Sequence, residues 1–392
     1  MFLPASSASE SSPAPATSAP ISRRGQHLLG QGSASPRQWG AFIPGVPDVN
    51  AFPHPLFSKI QARISRRPKP EQLSYSCNGG TAELQHALVD YLRVARGVQC
   101  QADQILITEG IHQAIDLITR MLCDRGDLAW VEEPSYWGIR HVLAMNEVRA
   151  EPVVVDASGL CPPESIAEAP RLIFVTPSHQ YPLVAVMSRE RRQRLLTLAH
   201  QHGSWIVEDD YDSEFHYEGK PMACVQGLDG SDRTIYIGTF TKSLFPGLRI
   251  AYMIVPDELV EPLTIARTLM DGHTASIPQL TLAKFIEGGH FGAYVRMMRG
   301  VYVARRDKLA SLIEQHLADF VTWVTPAGGM QMPCHLKEGI AEAEIALAAR
   351  RADIDMLGLT ALYAGQPAST GFLMGFAAYN EQEMEAAVMK LA

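Results

Sequence analysis

The sequence lacks any long apolar run, any block of basic residues and any closely spaced pair of cysteines. No stretch reaches the roughly 18 consecutive apolar residues that a membrane helix needs, and the N-terminus has no cationic and apolar leader. The 34 Lys and Arg residues are scattered and outnumbered by 42 Asp and Glu, whereas binding to nucleic-acid phosphates requires clustered cations. We therefore predict a cytoplasmic globular protein that by itself binds neither nucleic acid nor membrane.

The six cysteines give no sign of a disulfide framework or a zinc site. They are dispersed without a C-x-x-C pair, at Cys77, Cys100, Cys123, Cys161, Cys224 and Cys334. Disulfide scaffolds and zinc sites both depend on regular cysteine spacing. We expect reduced, mostly buried thiols and no metal. The one-piece motifs G-x-x-x-x-G-K-[ST], G-x-G-x-x-G, H-E-x-x-H and G-x-S-x-G are also missing.

The N-terminal segment has too few apolar residues to form a core. Fifteen of the first twenty residues are Ser, Ala or Pro, a composition that cannot offset the entropy lost on folding. We predict a disordered tail or linker remnant over residues 1–36 and an arm over residues 37–60. The Pro-rich spacing of residues 41–57 indicates an irregular segment lying on a neighbouring surface rather than a helix.

Helical and strand patterns then alternate. Apolar helical faces occur at 82–96, 112–123, 137–145 and 189–202, and β-rich runs at 104–108, 127–132, 148–155, 171–176, 205–209, 234–239 and 250–255. Long helical patterns follow at 257–271 and 290–316, then strand patterns within 321–336 and 372–378. This order predicts an α/β large domain over 61–270 with a mostly parallel seven-stranded sheet, and an interdomain helix with a small C-terminal α+β domain over 271–392.

Two segments carry residues suited to cofactor chemistry. The strand at 205–209 leads into Asp209, Asp210 and Asp212, and ligands of open α/β sheets lie at the carboxyl ends of strands. A carboxylate there suits a cationic ring nitrogen. The segment 235–252 places Lys242 in a Ser/Thr-flanked turn with Arg249 seven residues later. A lysine between buried strands can act as a Schiff-base nucleophile.

Eight motifs in order resemble a known family. They are SRRG, FIPGVPDVNAFP, LSYSCNGGTAEL, ITEGIHQAIDL, VEEPSYWG, VTPSHQYP, VEDDYDSEFHY and GTFTKSLFPGLR. Together they resemble the fold-type-I pyridoxal-phosphate enzymes, the aspartate-aminotransferase superfamily, and are most similar to the aminotransferase-like domain of MocR-type regulators of the GntR group. The resemblance runs from about residue 21 to the C-terminus. It implies pyridoxal 5'-phosphate as the cofactor.

The resemblance implies catalytic roles for three residues. Lys242 matches the lysine that forms the Schiff base with the cofactor and carries the substrate proton. Asp209 matches the carboxylate paired with the pyridine nitrogen, which keeps the ring an electron sink; Asp210 and Asp212 are the alternatives. Tyr211 matches the tyrosine that hydrogen-bonds the cofactor's phenolic oxygen.

The resemblance also implies a set of cofactor-binding residues. Phosphate is expected at a helix N-terminus and beside hydroxyls and a guanidinium, supplied by Gly110, Ile111, His112, Thr239, Thr241 and Arg249. Tyr136 matches the aromatic residue that stacks on the pyridine, with Trp137 as the alternative. His179 and Gln180 lie where the superfamily has an asparagine near the phenolic oxygen. Tyr75 matches a tyrosine that reaches the partner subunit's phosphate, which implies a homodimer with shared active sites.

Some positions depart from the family pattern. Related sequences usually carry glycine where Val184 stands and arginine where Gln85 stands. Many aminotransferases anchor the substrate carboxylate with an arginine on a small-domain strand, yet Arg351 is the last arginine and the matching segment reads STGFLMGFAAYN. Another group, such as Arg140 or a residue of the arm, is expected to replace it. Residues 1–40 cannot supply the winged helix-turn-helix of MocR-type regulators, so the chain resembles their linker and aminotransferase-like domain alone.

Two hypotheses of function follow. The first is a pyridoxal-phosphate-dependent aminotransferase that acts on an amino acid or amine through a Schiff base at Lys242. The alternative is a non-catalytic domain of a MocR-type regulator that senses the cofactor or an amine effector. Both need Lys242 and Asp209, so the cofactor-binding residues cannot separate them.

Overall fold

A large sheet organises the chain in this computed structural model, which describes residues 21–22, 25, 40–76, 79–219 and 222–392. Most of the predicted tail and Cys77 lie outside the described residues. The sheet has eight strands in the order β1-β8-β7-β6-β5-β2-β3-β4. Their bounds are Ile105–Thr108 (β1), Leu128–Glu133 (β2), Arg149–Asp156 (β3), Gly159–Leu160 (β4), Leu172–Val175 (β5), Trp205–Asp210 (β6), Thr234–Thr239 (β7) and Ala251–Ile254 (β8).

The seven predicted strands are confirmed, and the sheet is larger by one. The strands from β7 through β6, β5 and β2 to β3 pair in parallel. β8 pairs antiparallel with β7 and β1. The additional strand is β4, a two-residue segment that pairs back onto β3 and is too short to give a periodic pattern. The central strands are buried at every position, as expected where helices cover both faces.

The six predicted helices are confirmed, and the described residues form six more. They span His54–Arg66 (α1), Ala82–Arg96 (α2), Ile111–Leu122 (α3), Trp137–Met145 (α4), Arg189–His202 (α5), Val225–Leu228 (α6), Phe240–Ser243 (α7), Asp257–Asp271 (α8), Ser276–Glu287 (α9), His290–His316 (α10), Glu342–Arg351 (α11) and Glu381–Leu391 (α12). The prediction of an irregular segment to residue 57 is wrong at its end, because α1 begins at His54. Pro55 lies in the first turn of α1, where proline removes no helical hydrogen bond. Helices α6, α7, α9, α11 and α12 also have no counterpart among the predicted helices.

The N-terminal arm packs on its own chain. Phe42 pairs with Gly375 of the small domain and accepts a backbone hydrogen bond from it at 2.9 Å. Asp48 forms an ion pair of 2.8 Å with Arg305 on α10. Phe52 is buried in edge-to-face contact with neighbouring aromatic rings. These contacts hold the arm against the rest of the chain.

The small domain contains a four-stranded antiparallel sheet with the order β11-β12-β10-β9. The strands span Val321–Trp323 (β9), Gln331–Leu336 (β10), Leu357–Gly358 (β11) and Gly371–Gly375 (β12). Met332 and Met374 lie in the same core cluster as residues of α10 and α12. Alternation along the strands therefore points Gln331 and Leu373 the other way, and Gln331 reaches Tyr211 beyond β6.

Two expectations based on composition concern the cysteines and the membrane. Cys224 and Cys334 are buried, but Cys100, Cys123 and Cys161 are partly exposed, so the expectation of mostly buried thiols is wrong. Cys123, for example, ends α3 rather than lying within the core. Of the helices in the described ranges, none combines the length and hydrophobicity required to cross a bilayer.

The contact between the arm and β12 yields a stability prediction. A Cβ atom on Gly375 would overlap the carbonyl oxygen of Ile43 and lie 2.7 Å from its carbonyl carbon. We expect Gly375→Ala to displace the arm and lower the free energy of unfolding by about 1–3 kcal/mol. Thermal denaturation and limited proteolysis near residue 43 measure this. Gly365→Ala is the matched control, because a Cβ atom at that position would have no described atom within 4 Å; equal effects of the two substitutions would contradict the prediction.

Candidate active site

The residues singled out around position 209 and position 242 meet at the carboxyl ends of β6 and β7. These two strands are parallel, with Asp209 paired in register with Ile237. Thr239 ends β7, and its hydroxyl accepts a hydrogen bond from the Thr241 backbone N–H at 3.2 Å. The chain therefore turns into α7, and Lys242 lies on this single helical turn rather than in an open turn.

The Lys242 amine contacts the arm. Its Nζ donates a hydrogen bond to the Gly45 carbonyl oxygen at 2.8 Å. Burial lowers the pKa of Lys242, although the nearby carboxylates of Asp212 and Asp209 act in the opposite direction. A lysine whose neutral form is favoured is a better nucleophile.

The carboxylate of Asp210 is fully paired. Arg96 donates to it from Nε at 2.7 Å and from Nη2 at 3.1 Å. The hydroxyls of Ser213 and Tyr236 add hydrogen bonds of 2.7 Å and 2.5 Å. Burial opposes ionisation of Asp210, but Arg96 and these hydrogen bonds lower its pKa overall. Asp210 is therefore a structural ion-pair residue, and the alternative that gave it the ring nitrogen has no support in this geometry.

The carboxylates of Asp209 and Asp212 differ from each other. Asp212 Oδ1 lies 2.8 Å from Nδ1 of the buried His179, while its Oδ2 is buried without a hydrogen bond to any described residue. Asp209 Oδ1 is buried and makes no hydrogen bond to any described residue. Burial, together with the charges of Asp210 and Asp212, raises the pKa of Asp209 well above its usual range. A buried, unpaired carboxylate favours a cationic ligand as its partner.

Tyr211 follows β6 and contacts β10 of the four-stranded sheet. It is buried, and its hydroxyl accepts a hydrogen bond from Gln331 Nε2 at 3.1 Å. The Tyr181 ring makes edge-to-face contacts with Tyr211 and with Tyr136, both at 6.0 Å between ring centroids. Three tyrosines thus connect the Asp209 region with the start of α4.

A second cluster lies at the N-terminus of α3. Gly110 caps this helix with a φ of 129°, a conformation that favours glycine. A Cβ atom at Gly110 would be 2.7 Å from Arg249 Nη2, so the guanidinium lies directly over the helix start. His112, in the first turn beside Ile111, is 2.8 Å from the Tyr136 hydroxyl. Burial and then Arg249 lower the pKa of His112. The cluster offers free amides and a guanidinium to an anion.

Four more of the residues named from the sequence also have contacts in the structure. The Gln180 amide donates to Glu132, to the Pro134 carbonyl and to the Tyr181 carbonyl, so it supports the loop. His179 pairs with Asp212 as described above. Tyr75 is 94% exposed, and its ring contacts His273 at 5.8 Å. Trp137, the alternative stacking residue, packs beside a small leucine cluster of the C-terminal domain.

The positions that depart from the family pattern have defined conformations and contacts in the structure. Val184 adopts a φ of 56°, a region that favours the glycine expected there. Gln85 is buried and donates to the Ile105 carbonyl at 2.7 Å. Arg140 Nη1 donates to the Ser135 hydroxyl at 3.1 Å and the Leu362 carbonyl at 2.8 Å. On β12, Leu373 lies in the cluster of Leu359 and Leu362.

Three residues of the site were not predicted from the sequence. Gly45 contacts Lys242, Gln331 contacts Tyr211, and Glu132 is a buried carboxylate whose desolvation raises its pKa to about 7. Glu132 lies near the end of the apolar strand β2 within VEEPSYWG, which is a signal of the kind that identified Asp209. Gly45 and Gln331 have no such local signal.

The chain is similar in sequence and fold to several known proteins. Residues 48–391 match the family described as aminotransferase class I and II. The probable rhizopine catabolism regulatory protein MocR of Rhizobium meliloti is 35% identical over 351 residues, covering 90% of this chain and 71% of that protein. Aromatic-amino-acid aminotransferase 1 of Thermococcus litoralis is 30% identical over 305 residues, covering 76% and 73%. The crystal structure of Pyrococcus horikoshii kynurenine aminotransferase has a TM-score of 0.83 at 26% identity, over 95% of this chain and 94% of that one.

The different pairing of the two adjacent carboxylates predicts opposite effects on stability. Asp210→Asn leaves Arg96 buried without its counter-charge, so we expect the cofactor-free protein to lose about 3–5 kcal/mol of unfolding free energy. Asp209 has a raised pKa in the folded state, so its ionisation reduces stability as pH rises above about 4. Asp209→Asn should therefore be more stable than the parent at pH 7.

Chemical denaturation of the cofactor-free variants between pH 5 and pH 8 measures both effects. The advantage of Asp209→Asn should shrink as the pH is lowered towards about 4. If Asp209→Asn is the less stable of the two at neutral pH, the assignment of the unpaired carboxylate is wrong.

Proposed function

Because the chain belongs to the family of class I and II aminotransferases, we propose that it is a pyridoxal-phosphate-dependent aminotransferase acting on an amino acid or amine through Lys242. The observation that carries this proposal is the unpaired oxygen of Asp209. It is buried on β6 near Lys242, whereas Asp210 is paired with Arg96 and Asp212 contacts His179 through Oδ1, with its Oδ2 also lacking a hydrogen bond to any described residue. The site therefore holds a nucleophilic amine and a buried carboxyl group that would take a cationic ring nitrogen as its partner.

The described residues fit pyridoxal phosphate. Asp209 would accept the hydrogen bond of a protonated ring nitrogen, and Tyr211 would donate to the phenolic oxygen. Arg249 and the amides at the start of α3 would hold the phosphate, with hydroxyls from Thr239 and Thr241 nearby. Tyr136, which is partly buried next to His112, would cover the ring face.

Each of these residues has a defined task in amino-group transfer. When bound, the cofactor supplies a conjugated ring that takes up the electron pair released as a C–H bond beside the substrate nitrogen breaks. Lys242 attaches the cofactor and then moves the proton, which its lowered pKa favours. Asp209 keeps the ring nitrogen protonated. Tyr211 is held in place by Gln331 and orients the phenolic oxygen.

A regulatory role is the second candidate function. It is favoured by the 35% identity to the Rhizobium regulator and by the lack of arginine after Arg351. The same residues would then bind the cofactor and an amine effector without turnover. Following cofactor absorbance and oxo-acid product separately distinguishes the two: product formation supports the enzyme, and persistent binding without product supports the sensor.

The covalent role of Lys242 gives the direct test of the proposal. We expect the purified protein to be yellow and borohydride to fix the cofactor's mass on the peptide that contains Lys242. Lys242→Ala should lose this label and all turnover while keeping its circular dichroism spectrum. Lys337→Ala, at a position outside the site, is the control. Recovery of the label on another lysine would refute the assignment.

A homodimer with shared sites is part of the proposal, and Tyr75 is its probe. Tyr75 is 94% exposed in the single chain, which suits a side chain that reaches a partner subunit. We expect the holoprotein to sediment as a dimer and Tyr75→Phe to weaken cofactor affinity about tenfold, the effect of one lost hydrogen bond to a charged group. Tyr363→Phe serves as the control. A monomer at micromolar concentration with cofactor bound would contradict the shared site.

A further inference from the structure

A set of uncharged residues, mostly from the small domain, borders the site through the contacts of Gln331 and Tyr181 with Tyr211. We call it the small-domain wall and define it by Gln331, Leu373, Leu359, Leu362 and Tyr181. Gln331 and Leu373 lie on neighbouring strands, where Gln331 pairs with Gly375 and Leu373 with Pro333. Leu373, Leu359 and Leu362 form one buried cluster against Tyr181. Tyr181 in turn contacts Tyr211, so this wall continues into the site.

Gln331 carries the amide group of the wall, and one atom of this amide lacks a partner. Its side chain is 1% exposed, and Nε2 donates to the Tyr211 hydroxyl. Oε1 is buried with no hydrogen bond to any described residue. A Cβ atom on Gly45 would lie 3.6 Å from Oε1 and 2.8 Å from Lys242 Nζ. The unpaired oxygen and the reactive amine therefore lie close to the same part of the arm, next to Gly45.

The chemistry next to Gln331 Oε1 favours a hydrogen-bond donor. A buried acceptor without a partner is unfavourable, and a ligand that donates to it removes this cost. A carboxylate can only accept hydrogen bonds, so at this position it would face another oxygen lone pair. The nearby Arg140 already donates through Nη1 to Ser135 and Leu362.

Building on the proposed function, we propose that the small-domain wall selects amines whose neighbouring carbon carries a neutral hydrogen-bond donor, such as the hydroxyl of an amino alcohol, with Gln331 Oε1 as the acceptor. The α-carboxylate of an amino acid is disfavoured in the same place. Gln331 is then a specificity-determining residue, and the missing arginine on β12 reflects a different substrate class rather than a lost site.

Three compounds that differ in one group test this selection on the holoprotein: 2-amino-1-propanol, alanine and 2-aminopropane. Titration calorimetry gives the affinities, and cofactor absorbance gives the half-reaction rates. We expect the amino alcohol to bind about tenfold more tightly than either other compound, the value of one hydrogen bond to a buried acceptor. Gln331→Leu should reduce the ratio between the amino alcohol and 2-aminopropane to about one.

The ratio of the two affinities distinguishes a loss of selectivity from a general loss of binding. This matters because Gln331→Leu also removes the hydrogen bond to Tyr211 and can weaken the binding of all three compounds. Gln315→Leu, on the exposed face of α10, is the matched control and should keep the ratio. Tightest binding of alanine, an unchanged ratio in Gln331→Leu, or no binding of any compound would overturn the inference. Selective binding without formation of an oxo product would contradict the proposed aminotransferase activity but support the proposed selectivity. The failure of one proposal can therefore be distinguished from the failure of the other.

Discussion

The buried ion pair between Arg96 and Asp210 determines what the neighbouring residues can do. Two charges removed from water stabilise a fold only if their geometry is good and their remaining polar atoms are satisfied. Here Arg96 also donates to Ser178, and Asp210 also accepts from Ser213 and Tyr236. Because the Arg96 guanidinium pairs with Asp210, Asp209, the next residue along β6, keeps a buried oxygen that makes no hydrogen bond to any described residue. The fold therefore carries one structural carboxylate and one available carboxylate at adjacent positions.

The site also depends on three separate parts of the chain meeting at Lys242. The arm supplies the Gly45 carbonyl, the large domain supplies Asp209 and Tyr211, and the small domain supplies Gln331. Gly375 makes this possible, since only a residue without a side chain lets the arm lie against β12. Packing of the arm thus fixes the space in front of the reactive amine, and the stability of that contact is linked to the shape of the site.

The sequence predicts those parts of the structure that depend on local pattern. The seven main strands and the helices at 82–96, 137–145 and 290–316 follow from apolar periodicity, and the order of eight motifs identifies the family. The roles of Gly45 and Gln331 could not be predicted, because Lys242 and Gly45 are 197 positions apart and Gln331 and Tyr211 are 120 apart. The start of helix α1 escapes prediction because the prolines around it resemble helix breakers, although proline is tolerated in a first turn.

The same distinction applies to the three carboxylates after β6. Their positions at a strand end are evident from the sequence, but their division into paired and unpaired groups depends on Arg96 and His179, which come from α2 and from the loop after β5. That division also links cofactor binding to folding. Without a cationic ligand, ionised Asp209 is a cost to the folded state; with one, the charge is compensated where it is buried. A ligand that binds only the folded chain then adds its binding free energy to the stability of the fold. The residue that makes the empty site less stable is therefore the one that makes the bound site favourable, whether the chain completes amino-group transfer or only senses an amine.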